Sequence, residues 1–254
     1  NCQQPLDFEM IMNDLLGLEV VHPEWHNVLK KAFCMLDQGY LQHLNETQDW
    51  LPTRQRLLAA FSQPLSSTRY ILLGESPYPR EQSANGYAFW DAQVDLLWSP
   101  TGLSKAVNRA TSLRNFIKML LFARGDLSQN CSQEAIAKLD KTHYIKTVNQ
   151  LFTSLTEQGF LLLNASLVYS KGQVPYHARM WRPFMHCLLN ELAKNHAHLT
   201  LILFRKIAAQ LPEAHQFPCL VAEHPYNLSF ITNTAVVEFF KPMDLLYEKH
   251  SRYG

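Results

Sequence analysis

Three short stretches of this 254-residue chain gather side chains able to do chemistry. They read Gly74-Glu75-Ser76-Pro77-Tyr78, Asn164-Ala165-Ser166 and His224-Pro225-Tyr226-Asn227-Leu228-Ser229. Together they hold a carboxylate, an amide, an imidazole, a phenol and several hydroxyls, set among turn prolines. An amide donates and accepts hydrogen bonds at once, and a neutral imidazole does the same through its two nitrogens. Polar groups of this kind, converging at one end of a scaffold, suit a pocket for a small polar ligand.

Each stretch follows a short apolar run, and those runs are the elements that must position it. Residues 69–73 and 159–163 read as buried strands, and 199–204 and 219–221 as a third and a fourth. Helical spacing falls between them, at 25–44, 112–122, 148–156, 181–194 and 207–211. Pro52 opens a further expected helix carrying Leu57, Leu58 and Phe61. The alternation predicts a three-layer α/β/α sandwich around a central, mostly parallel four-stranded sheet. Ligands of such sheets sit off the carboxyl ends of the strands, where the three polar stretches fall. We find no repeat, low-complexity tract or Gly/Ser linker, so residues 1–254 read as one domain. Residues 1–20, with Leu6, Phe8, Met10, Ile11, Leu15 and Leu16, read as a short peripheral helix.

Composition narrows the classes. Hydrophobic residues make up 47% and charged residues 18%, which is ordinary globular usage. The net charge of +1 excludes a generically basic nucleic-acid coat, so any nucleic-acid binding must use locally gathered charge. No apolar run approaches the roughly 20 residues that span a bilayer, and no signal-peptide pattern opens the chain. The expectation is a cytoplasmic or nuclear protein with no membrane role. The five cysteines are widely spaced without a CxxC, so no cofactor or metal is expected. GxSxG, Walker A and GxGxxG patterns are absent too.

At the strand-end residues the chain resembles the uracil-DNA glycosylase superfamily, over about residues 25–245. The family's GQDPYH motif stands here as Gly74-Glu75-Ser76-Pro77-Tyr78-Pro79, with the stacking Phe at Phe89. Its LLLN strand end is Leu161-Leu162-Leu163-Asn164. Its GQxxSH element is Gly172-Gln173-Val174-Pro175-Tyr176-His177, followed by Trp181. Its HPSPLS loop is His224 to Ser229, and a weaker match to PPSLxN runs from Ala110 to Asn115.

The resemblance implies a base-excision hydrolase that flips uracil, or a related damaged base, out of DNA and reads it in a pocket. It gives Asn164 the task of pairing with uracil O4 and N3–H. Phe89 stacks on the base, and Tyr78 fills the space beside C5 and rejects a methyl group. His224 supports negative charge at O2 as the base departs. Leu228 wedges into the duplex. Ser112, Ser166, His177 and Ser229 hold the DNA strand. Nearby cations for the backbone are Arg80, Lys105, Arg109, Arg114, Lys118, Lys171 and Arg179.

One departure bears on the chemical step. Ser76 stands where the family has its catalytic Asp, and a neutral hydroxyl is a poor base and cannot offset positive charge. Glu75, just before it, makes a Gly-Glu-x-Pro run similar to the GEAPG motif of the iron–sulfur branch, though the cluster cysteines are absent. Glu75 is therefore the candidate to supply the charge or place the water. Two readings stay open: an active, monomeric glycosylase, or an attenuated relative that binds DNA, uracil or a protein partner without releasing a base.

Overall fold

Why the apolar runs become strands is plain from their burial. In the computed structural model, which describes residues 17–249, β1 (Tyr70–Gly74), β4 (Phe160–Asn164) and β5 (Thr200–Phe204) are buried along nearly their whole length. Only strands covered on both faces read as unbroken hydrophobic runs. The sheet order is β4-β1-β5-β6, with β6 at Cys219–Ala222. β1 pairs in parallel with β4 and with β5, in a register that sets Gly74 opposite Asn164. The expected three-layer α/β arrangement is present. A second, two-stranded antiparallel sheet, β2 (Trp98–Ser99) and β3 (Gly102–Leu103), has no counterpart in the sequence reading.

The helices, in chain order, are α1 (His26–Phe33), α2 (Gln38–Thr47), α3 (Lys105–Arg109), α4 (Thr111–Arg124), α5 (Gln133–Ala137), α6 (Val148–Glu157), α7 (Val174–Asn195), α8 (Arg205–Ala208) and α9 (Thr234–Phe240). The stretch at 25–44 is two helices where one is expected. Asp37 interrupts it by accepting a hydrogen bond from the Tyr40 amide at 2.8 Å, which starts α2 afresh. The Pro52 segment is not an α-helix. It coils through 3-10 turns at Arg54–Arg56 and Ala59–Ser62. Leu57, Leu58, Ala60 and Phe61 are all buried there, but the backbone leaves the helical region at Leu58 (φ −110°, ψ 19°) and Phe61 (φ −92°, ψ 20°), which stops a regular helix from forming. The helix expected in residues 1–20 lies outside the described residues except at its end, where Leu18–Val20 forms a 3-10 turn.

By internal packing the described chain forms two units, each made of two chain segments. One takes the chain up to Ala92 with Gly159–Cys219; the other takes Gln93–Gln158 with the chain from Leu220. In the first, Ile71, Leu73, Leu161, Leu163, Leu201 and Leu203 join α1 and α7 in one core, where Phe33 meets Phe184 and Trp181 edge to face. Each such fully buried side chain contributes roughly 1.5–3 kcal/mol. In the second, α4 buries Leu113, Ile117, Leu120 and Leu121 along one stripe.

Candidate active site

In the first unit, three side chains assigned to the base converge on the end of β1. A Cβ on Gly74 would lie 2.6 Å from Asn164 Oδ1 and 3.4 Å from the edge of the Phe89 ring, so only glycine leaves room for this meeting. Asn164 is 6% exposed, and its amide makes no hydrogen bond among the described residues. The residue is buried, yet its amide oxygen and nitrogen are not sealed from solvent, so they are open to a partner that arrives.

Phe89 is held over this point against its own backbone preference. Its φ is +64°, a left-handed conformation worth roughly 1–3 kcal/mol of strain for a bulky residue. Three contacts hold it there. The Ala88 amide donates to Leu162 O at 3.1 Å. The Phe89 ring packs edge-on against Phe204 at 5.4 Å. The Tyr78 hydroxyl donates to Phe89 O at 3.1 Å. Burial pushes the Tyr78 phenol up to about 12, with Asp91 adding to the shift, so it stays a neutral donor at any ordinary pH.

Glu75 and Ser76 open onto a cavity of about 290 Å³ whose lining includes neither Tyr78, Phe89 nor Asn164. The Glu75 carboxylate lies 3.3 Å from Lys206 Nζ. Ser76 Oγ makes only a long 3.4 Å bond to Pro77 O.

Two residues expected to touch DNA lie inside the protein instead. Ser166 is 1% exposed and its hydroxyl donates to Val168 O at 2.9 Å. His177 is 2% exposed. The Trp181 indole can only donate, and it does so to the Tyr40 oxygen at 2.9 Å. The Tyr40 hydroxyl also hydrogen-bonds His177 Nδ1, 2.6 Å away. The other ring nitrogen, Nε2, hydrogen-bonds Ser170 Oγ at 3.0 Å. Burial lowers the His177 pKa, which favours the neutral ring. His177 is part of a buried brace running from Trp181 through Tyr40 to Ser170.

The second unit holds the remaining residues. The loop from His224 to Ser229 is tied down from within. Asn115, fully buried on α4, donates through Nδ2 to Pro225 O at 2.7 Å and Tyr226 O at 3.3 Å. The Tyr226 amide donates to His224 Nδ1 at 3.0 Å. In the neutral ring the proton must then sit on Nε2, which makes that nitrogen a donor. Ser229 Oγ donates to Glu223 at 3.0 Å, and Asn233 holds the other oxygen of that carboxylate at 2.7 Å. Leu228 projects at the loop tip, 69% exposed. Ser112 lies in the first turn of α4, whose start no side chain caps.

Asn115 and Glu223 have no role in the sequence reading. The available signal was an Asn on the apolar stripe of a helix, since a buried amide there needs partners. Among the described residues no group of three or more His, Cys, Asp or Glu is placed to hold a metal. No helix there is long and apolar enough to cross a membrane.

An amide, an aromatic ring and a phenol thus gather at the strand ends of a doubly covered parallel α/β sheet, the place where ligands of this class of fold sit. No family model matches the chain. The wild-type UNG crystal structure from Nitratifractor salsuginis is 43% identical, with a TM-score of 0.87, over 97% of this chain and all of that one. A uracil-DNA glycosylase from a Nocardioides species is 26% identical over 226 residues, 86% of either chain. The mimivirus uracil-DNA glycosylase, 18% identical with a TM-score of 0.55, shares the fold over 89% of this chain and 77% of its own. The chain belongs to the uracil-DNA glycosylase superfamily.

Proposed function

We propose that this protein excises uracil, or a closely related base, from DNA by hydrolysing the bond between the base and deoxyribose. The observation that carries this is Asn164: a nearly buried amide without an internal partner, under a strained Phe ring, where Gly74 clears the space. An amide so placed can donate to uracil O4 and accept from N3–H, satisfying itself and the base together. Tyr78 and Phe89 brace each other through one hydrogen bond, which supports their roles as wall and stacking partner.

In the chemical step the C1′–N1 bond breaks and its electron pair leaves with the base. Negative charge grows on O2, where the Nε2–H of His224 would donate. Water then adds to C1′ and gives up a proton. Glu75 is the carboxylate we assign to the positive sugar or the incoming water, with Ser76 as a neutral neighbour. We read Ser112 and Ser229 as phosphate partners and Leu228 as the wedge. The whole chain, on this reading, is one glycosylase domain that works as a monomer inside the cell.

A second reading, a base-binding relative without turnover, is favoured by two observations: Ser76 holds the position of the family carboxylate, and Glu75 is paired with Lys206. Release of uracil from single- and double-stranded DNA, assayed by strand cleavage at the resulting abasic site, separates the two. We expect release by the parent chain and its loss in Asn164→Ala. Release that survives both Asn164→Ala and Glu75→Gln would overturn the assignment. DNA binding without release, regained by Ser76→Asp, would establish the second reading.

A further inference from the structure

The cavity beside Glu75 lies off the carboxyl ends of three adjacent strands. Glu75 and Ser76 follow β1, Ala165 and Ser166 follow β4, and Lys206 follows β5 by two residues. Its remaining wall includes Val174 and Pro175 at the start of the 22-residue α7, where no side chain caps the helix, and Arg182 two turns on. Its formal charges are one carboxylate and two cations. Lys206 is committed to Glu75 at 3.3 Å, whereas Arg182 makes no ion pair among the described residues. The excess is positive, and the positive end of the α7 dipole adds to it. A guanidinium and an ammonium around one space favour a phosphate: the first binds it as a planar fork, the second as a point charge.

We infer that Arg182 and Lys206 bind the DNA phosphate beside the extruded nucleotide, and that this phosphate draws Lys206 off Glu75. The inference rests on the glycosylase reading and deepens it. Without DNA, Lys206 offsets the one carboxylate able to face a cationic sugar. With DNA bound, the phosphodiester takes over as the counter-anion of Lys206, and the Glu75 charge is released where positive charge develops. Arg182 and Lys206 are thus positioning residues that couple strand binding to the chemistry.

The test is binding of the full chain to DNA carrying a tetrahydrofuran abasic analogue, followed by fluorescence anisotropy across a salt series. Each phosphate contact contributes about 0.7–0.9 to the slope of log affinity against log salt, which is roughly a threefold change in affinity between 50 and 200 mM. Arg182→Met and Lys206→Met should each reduce the slope by about that amount, and Lys206→Arg should restore it. With uracil-containing DNA, Arg182→Met should raise KM by more than it lowers kcat, and Lys206→Met should lower kcat as well. Slopes unchanged in both Met variants, or no binding by the parent, would overturn the inference. The expected slope reductions in both Met variants, with no uracil release by the parent, would instead overturn the glycosylase reading while leaving the phosphate contact standing.

Discussion

Asn164 and Gly74 share one small volume, and that makes their substitutions unequal. Asn164→Ala removes the donor and acceptor but leaves the space, so base release should fall by about 10²–10³-fold, the usual loss for one directed hydrogen-bonding group. Gly74→Ala keeps every polar group, yet places a methyl 2.6 Å from Asn164 Oδ1 with Ala88 close on another side at 3.1 Å. The amide must turn away, and activity should fall comparably while binding of undamaged DNA is kept. Steady-state release and anisotropy on the same preparations check both. At this scale much of the site is legible in the sequence, because Asn164, Tyr78 and His224 sit at turn-rich ends of apolar runs. The left-handed backbone of Phe89 is not legible, since it is imposed by bonds from Tyr78, Leu162 and the packing of Phe204. Nor is the burial of Ser166 and His177, whose partners Val168 and Tyr40 decide where they point.

At the scale of elements, strands and long helices follow from pattern, whereas their breaks follow from single side chains. α1 ends at Phe33, and Asp37 caps the next helix, α2. Asp37→Ala should cost about 1 kcal/mol in urea-denaturation measurements, and Asp37→Asn much less, because the amide oxygen still caps. The 3-10 turns between Arg54 and Ser62 escape a reading based on the 3.6 period, since their buried residues fit one helix face and the break lies in the backbone angles at Leu58 and Phe61. Asn115 is the element-scale device of the second unit. Its two bonds fix the carbonyls of Pro225 and Tyr226, and so the loop that carries His224 and Leu228. Asn115→Leu fills similar space but leaves those carbonyls without their donor. We expect uracil release to drop by at least tenfold, a cost of about 1.4 kcal/mol in the barrier, with helix content by circular dichroism unchanged.

For the molecule as a whole, a net charge of +1 says little about where charge matters. The pH dependence of stability is more specific, because a buried ring couples folding to protons. His177 is braced in its neutral form by Tyr40 and Ser170, and burial lowers its pKa below the ordinary value of 6.5. The unfolded chain then takes up a proton as the pH drops through 6.5, while the native ring stays neutral. Stability rises with pH wherever the unfolded state binds more protons, so this residue's contribution is complete above 6.5 and declines below it. The decline continues down to the lowered native value and then levels off. Its slope approaches about 1.4 kcal/mol per pH unit for one proton. Urea titrations at intervals from pH 7.5 to 5 should show that acid limb in the parent chain. In His177→Gln, which can still hydrogen-bond Tyr40 but cannot titrate, the limb should flatten by up to one proton's slope. Total stability at pH 7.5 should fall only modestly. Equal slopes in the two chains would mean that His177 is free to protonate in the folded state, and that the brace from Trp181 through Tyr40 to Ser170 does not hold in solution.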